Sequence, residues 1–72
     1  MHVMSKTFQF VDHLIEESVS CTDNAERLIA RYEQTDDQRF LDLANQYTDI
    51  ANQYTASARN ILQAIKSART AS

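Results

Sequence analysis

Not one of the 72 residues is glycine or proline. Those two residues supply the positive and the fixed φ values on which hairpins, bulges and structured loops depend, so a chain lacking both has little besides helix to fold into. The sequence also carries an internal ruler. The string Ala-Asn-Gln-Tyr-Thr stands at 44–48 and again at 51–55, offset by one heptad. Two turns of helix bring each residue of the second copy over its twin, the pattern of a coiled-coil-like seam rather than of a catalytic site.

Extending that rhythm in both directions gives two series. Val11, Leu14, Ser18, Cys21, Ala25, Leu28 and Tyr32 recur at alternating steps of three and four, which predicts one amphipathic helix over about residues 5–34. Phe40, Ala44, Tyr47, Ala51, Tyr54, Ala58, Ile61, Ile65 and Ala68 predict a second over about 36–69. Carried through the middle, the first series would put Arg39, Asp42, Gln46 and Asp49 on the seam. The series are therefore out of phase, and the chain is expected to turn at about 34–37. Thr35 and Gln38 have the spacing of a capping box at the start of the second helix, with Asp36 and Asp37 suited to its positive end.

Folding there pairs residues whose numbers sum to 72, and most layers then match a bulky side chain with a small one: Leu28 with Ala44, Ala25 with Tyr47, Ser18 with Tyr54, Leu14 with Ala58. The same register sets Asp12 near Arg59 as an ion pair. The expected fold is all-α: residues 1–72 form a single domain, a two-helix antiparallel hairpin that dimerises into a four-helix bundle.

Dimerisation follows from size. So short a chain rarely buries enough apolar surface alone, and the usual remedies are disulfides, a metal or oligomerisation. Cys21 has no second cysteine to pair with, and no Cys/His cluster suits a structural zinc. One flank of the hairpin, Phe8, Ile15, Thr22 and Ile29 with Leu41, Thr48, Thr55 and Leu62, contains no charge and is the expected dimer interface. The opposite flank mixes Phe10, Leu43 and Ile50 with the amides Gln46 and Gln53, and no charged residue occurs from Ile50 to Ala58. Those five residues form the candidate strip for another protein.

Chemistry-bearing residues are sparse. His13 with Glu16 or Glu17 has helical spacing for two metal ligands, yet bundle metal sites need several inward carboxylates, and these fall off the seam. Cys21 lies on the seam, away from the electropositive exposure that activates a thiol. No acid, base and nucleophile set can be assembled, so the chain reads as noncatalytic, without metal or cofactor. The net charge of −3 argues against a general phosphate-backbone binder, and no apolar run approaches the ~20 residues that span a bilayer. A cytoplasmic location is the expectation. Arg59, Lys66 and Arg69 near the C-terminus complement the helix dipole and could cluster in a dimer.

In overall plan the chain resembles the Rop-like plasmid copy-number regulators: a short acidic hairpin with small-and-large layers. The resemblance rests on no shared motif and assigns no residues. It implies the alternative function, an RNA-binding regulatory dimer. The leading expectation is a small regulator or adaptor that homodimerises and binds another protein through a helix face, as secretion chaperones and phage-encoded inhibitors do.

Overall fold

The computed structural model describes residues 2–71, with side-chain burial for residues 6–70. Helix α1 spans His2–Thr35 and helix α2 spans Gln38–Ala71, and the two pack against each other along their length. No strand occurs among the described residues. Two residues, Asp36 and Asp37, make the whole connection.

The turn is built differently from a capping box. Thr35 is still helical, its hydroxyl donating to the Arg31 carbonyl at 2.8 Å and accepting the Asp37 amide at 3.3 Å. Asp36 stops α1 by adopting φ 55°, and its amide donates to the Tyr32 carbonyl at 2.7 Å. That is the left-handed C-terminal cap usually given to glycine or asparagine; with no glycine in the chain, the short polar Asp takes the role. Asp37 then caps α2: its Oδ1 accepts the Arg39 amide at 3.0 Å. The residue three positions on is Phe40, which has nothing to send back. Gln38, the expected reciprocal partner, instead donates to Asp42 Oδ1 at 3.3 Å.

Arg39 folds back over Asp37, with Nη2 2.7 Å from Oδ2. This side-chain bond, seconded by the Arg39 amide, holds the Asp37 carboxyl below its ordinary value and raises the Arg39 guanidinium. The expected Asp12–Arg59 pair does not close within 4 Å among the described residues. Both side chains are exposed, where water screens the attraction and holding two flexible chains together costs entropy.

The seam is narrow and shallow. Its buried members are Val11, Leu14, Cys21 and Ala25 from α1 and Ala44, Ala51 and Ala58 from α2, one residue per two turns on the second helix. Leu14, Val11 and Ala58 form the tightest cluster, with Tyr54 and Ile61 against it. Ser18, Leu28, Tyr32, Phe40, Tyr47 and Ile65 are half-buried. Ala68 is exposed rather than on the seam, because it lies at the open end of the hairpin where only the first turn of α1 remains to cover it. Ser18 meets α2 through hydrogen bonds: its hydroxyl donates to the Ala51 carbonyl at 3.2 Å and lies 2.8 Å from the Thr55 hydroxyl.

Two helices cannot enclose a core, and the dimensions show it. The molecule measures 56 × 20 × 11 Å with a radius of gyration of 16.5 Å, against about 11 Å for a compact chain of this length. Its accessible surface is 5683 Å², roughly 1,100 Å² more than a compact monomer of 8.3 kDa exposes.

Candidate interaction surfaces

Helical spacing distributes what the seam leaves out onto two flanks, and the structure gives each flank a distinct character. On the first, Phe8, Ile15, Ile29 and Leu62 are 38–45 % exposed, and Leu41 is half-buried. The threonines between them are internally satisfied: Thr22 donates to the Ser18 carbonyl at 3.0 Å, Thr48 to Ala44 at 2.9 Å and Thr55 to Ala51 at 3.0 Å. Back-bonding to the preceding turn uses the hydroxyl proton and leaves the methyl group to face outward. The flank is therefore more apolar than its composition. Val19, 55 % exposed, sits one helical position beyond Ile15 and Thr22 and widens the stripe; the sequence reading, confined to strict seven-residue spacing, missed it.

At the open end of this flank, Ile15, Thr55 and Leu62 line a depression of about 330 Å³ rimmed by Arg59 and Lys66. Two of the three C-terminal cations thus border the apolar stripe. They lie beside groups that favour burial, not on a separate basic surface.

The second flank collects Phe10, 53 % exposed, Leu43 and Ile50. Phe10, Ile50 and Gln53 line one depression of about 290 Å³, with Tyr54 and Leu14 as its floor. Leu43 belongs to a larger one, about 640 Å³, between Phe40 and Tyr47 on α2 and Asn24, Arg27 and Arg31 on α1. Gln46 is exposed and lines neither. Arg31 follows Phe10, Glu17 and Asn24 at heptad spacing and is legible on this flank from the sequence; Arg27, one turn before it, went unnoticed because it lies outside that series. The signal that finds them is charge by helical face. Lys6, Arg27, Arg31 and Arg39 fall on this flank or its outer edge with Glu17 as the one acid, although the chain as a whole is acidic. It is the cationic face of an anionic protein.

The residues weighed for chemistry are not brought together. Among the described residues no three His, Cys, Asp or Glu side chains converge on a point that could hold a metal ion. Cys21 is a buried free thiol, His13 and Glu16 are exposed, and Glu17 is half-buried. No described helix is long and apolar enough to cross a membrane. No protein-family model, curated protein or solved structure matches the chain.

Proposed function

We propose that this hairpin is a noncatalytic, cytoplasmic regulator or adaptor, which homodimerises through the Phe8–Leu62 flank into a four-helix bundle and binds another protein through the Phe10–Ile50 strip. The observation that carries the first half is surplus surface. The roughly 1,100 Å² beyond a compact monomer exceeds the ~800 Å² that each partner contributes to a standard stable interface. The first flank holds large apolar side chains, internally satisfied hydroxyls and no charge, which is what a permanently covered face needs.

The strip supports the second half. It pairs apolar anchors in depressions with amides and cations at the edges, the composition of a face that exists both wet and bound. Its positive balance calls for a partner segment that is amphipathic and acidic, with its carboxylates toward Arg27 and Arg31. The runner-up, an RNA-binding dimer, would draw on cations; Arg59 and Lys66 lie at the proposed dimer flank, and Arg27 and Arg31 border an apolar depression with Leu43 and Phe40, a setting that suits a protein segment better than a phosphate backbone.

The test pairs a light-scattering mass for the pure protein with capture from its native extract, with and without nuclease, by wild type and by Leu43→Lys/Ile50→Lys. A dimeric mass, with a stoichiometric protein that survives nuclease and is lost by the variant, is expected. Capture unchanged by the variant overturns the strip; recovery that disappears with nuclease moves the RNA reading first.

A further inference from the structure

We propose that the two copies pack with α1 of one over α2 of the other, about a twofold axis parallel to the helices, so that both Asp36–Asp37 turns lie at the same end of the bundle. The inference rests on the dimer reading above and adds its orientation.

Two closed arrangements place the uncharged flanks face to face. An axis parallel to the helices sets α1 over the second copy's α2. An axis lying across them sets α1 over α1 and α2 over α2, with the turns at opposite ends. Packing does not separate the two. Along each stripe the large side chains stand toward the ends, Phe8, Ile15 and Leu62 at one and Ile29 and Leu41 at the other, with Thr22, Thr48 and Thr55 between, and either axis brings threonine to threonine at the centre.

Charge does separate them. One helical position outside the apolar stripe, α1 carries Asp12, Val19, Glu26 and Glu33, while α2 carries Asn45, Asn52, Arg59 and Lys66. The α1 rim is acidic and the α2 rim neutral to basic. Within the hairpin, facing residues sum to about 72, as Leu14 with Ala58, Val11 with Ile61 and Ser18 with Thr55 show. Rotation about an axis parallel to the helices leaves axial position unchanged, so the same sum holds between copies. Asp12 then stands level with the second copy's Arg59, twice by symmetry, and Glu26 with its Asn45. Across the other axis, centred on the flank, the rims are α1 to α1, facing residues sum to about 39, and Asp12 meets Glu26 twice. Opposite charges favour the first arrangement and like charges oppose the second, by amounts small per pair but of consistent sign.

Two further observations agree. Asp12 and Arg59 are left without each other inside the hairpin, and the parallel axis gives each a counter-charge. The depression lined by Ile15, Thr55 and Leu62 receives the second copy's Phe8, whose level on α2 falls between Leu62 and Lys66. The two partner-binding strips then lie on opposite outer faces and run in the same direction, so one dimer presents two equivalent sites to two parallel segments.

A spin label at Gln34→Cys in a Cys21→Ala background, with the mass measured on the same sample, decides the orientation. A dimer with turns together gives a label separation of about 30 Å, set by helices 8–10 Å apart and the label tethers. Turns apart give roughly 45 Å or more at 1.5 Å per residue, and that distance in a dimeric sample overturns the orientation while leaving the dimer standing. A monomeric mass overturns both. As an independent check, Arg59→Glu weakens the dimer on the order of tenfold, from two pairs changed in sign, and Asp12→Arg with Arg59→Asp restores it. An unchanged dissociation constant for Arg59→Glu removes the charge argument.

Discussion

The two flanks of this hairpin start from the same helices; the first carries more large apolar residues than the second, and they differ further in what surrounds those residues. On one, every intervening polar group is a threonine whose proton is already spent on the preceding turn's carbonyl. On the other, the intervening groups include Glu17, the exposed amides of Gln46 and Gln53 and the exposed guanidinium groups of Arg27 and Arg31. A hydroxyl satisfied within its own helix loses nothing when the face is covered, whereas a free amide or guanidinium must find a new partner or be buried at a cost of about 1–3 kcal/mol. The difference separates a face suited to permanent contact from one suited to selective contact.

The sharpest break of that comparison is a charge on the first flank. Ile15→Lys with Leu62→Lys removes four large apolar contacts per dimer, each worth about 1.5–3 kcal/mol, and puts four ammonium groups where the stripe closes. The expected result is a monomeric mass and a melting midpoint that no longer rises with protein concentration. If the variant remains a dimer, the permanent face has been assigned to the wrong side. The paired change on the second flank, Leu43→Lys with Ile50→Lys, should leave mass and midpoint near wild type, since these side chains are about 40 % exposed already, and should abolish partner capture.

A subtler discrimination comes from the hydroxyls themselves. Thr48→Val keeps the methyl face and deletes a hydroxyl bonded only within α2, so the dimer should be unchanged or slightly tighter. Ser18→Ala deletes the group that joins α1 to the Ala51 carbonyl and Thr55, and should cost about 1 kcal/mol in a denaturant melt. A Thr48→Val variant that weakens the dimer would mean that its hydroxyl serves the interface after all.

How much of this was legible beforehand depended on distance along the chain. The helices, the antiparallel pairing and the seam membership follow from a period of three and four repeated over nine turns, a redundancy that no single residue can spoil, and Leu14 against Ala58 is the layer the spacing gave. The turn had no such redundancy. Thr35 to Gln38 fits a capping box as a string, but the left-handed stop fell on Asp36, which shifted the cap by two residues to Asp37 and left Gln38 without its role. The Asp12–Arg59 pair failed for another reason: register placed the two side chains at one level, and level does not close a gap across a solvated rim. Arg31 fell on the second flank by heptad spacing, but Arg27 and the positive balance of that face required folding charges onto faces, a pattern invisible to a search for apolar periodicity.

The smallest effects belong to that turn, and they sharpen the comparison by showing that neither flank depends on it. Asp36 holds φ 55°, a conformation that Asn and Gly accept readily and a β-branched residue resists. Asp36→Asn should be near neutral, and Asp36→Gly nearly so, because relief of the backbone offsets the ~0.4–1 kcal/mol of extra unfolded-state entropy that glycine brings. Asp36→Val should cost on the order of 1–3 kcal/mol. Asp37 adds a pH dependence whose sign is fixed by its lowered carboxyl, a shift caused first by the Arg39 side chain and then by the Arg39 amide. A carboxyl more acidic folded than unfolded contributes stability above its ordinary value of 3.8 and loses it as pH falls through the lower folded value. Acid melts of wild type should therefore decline below that ordinary value, and Asp37→Asn should flatten that part of the decline. Because Arg39 is 88 % exposed, added salt should shrink the difference between the two proteins. In both variants the dimer constant should stay where it was, since the turn lies at the end of the apolar stripe and contributes nothing to it. A dimer that weakens with Asp37→Asn would place the turn inside the interface and demand a register longer than the one the two flanks define.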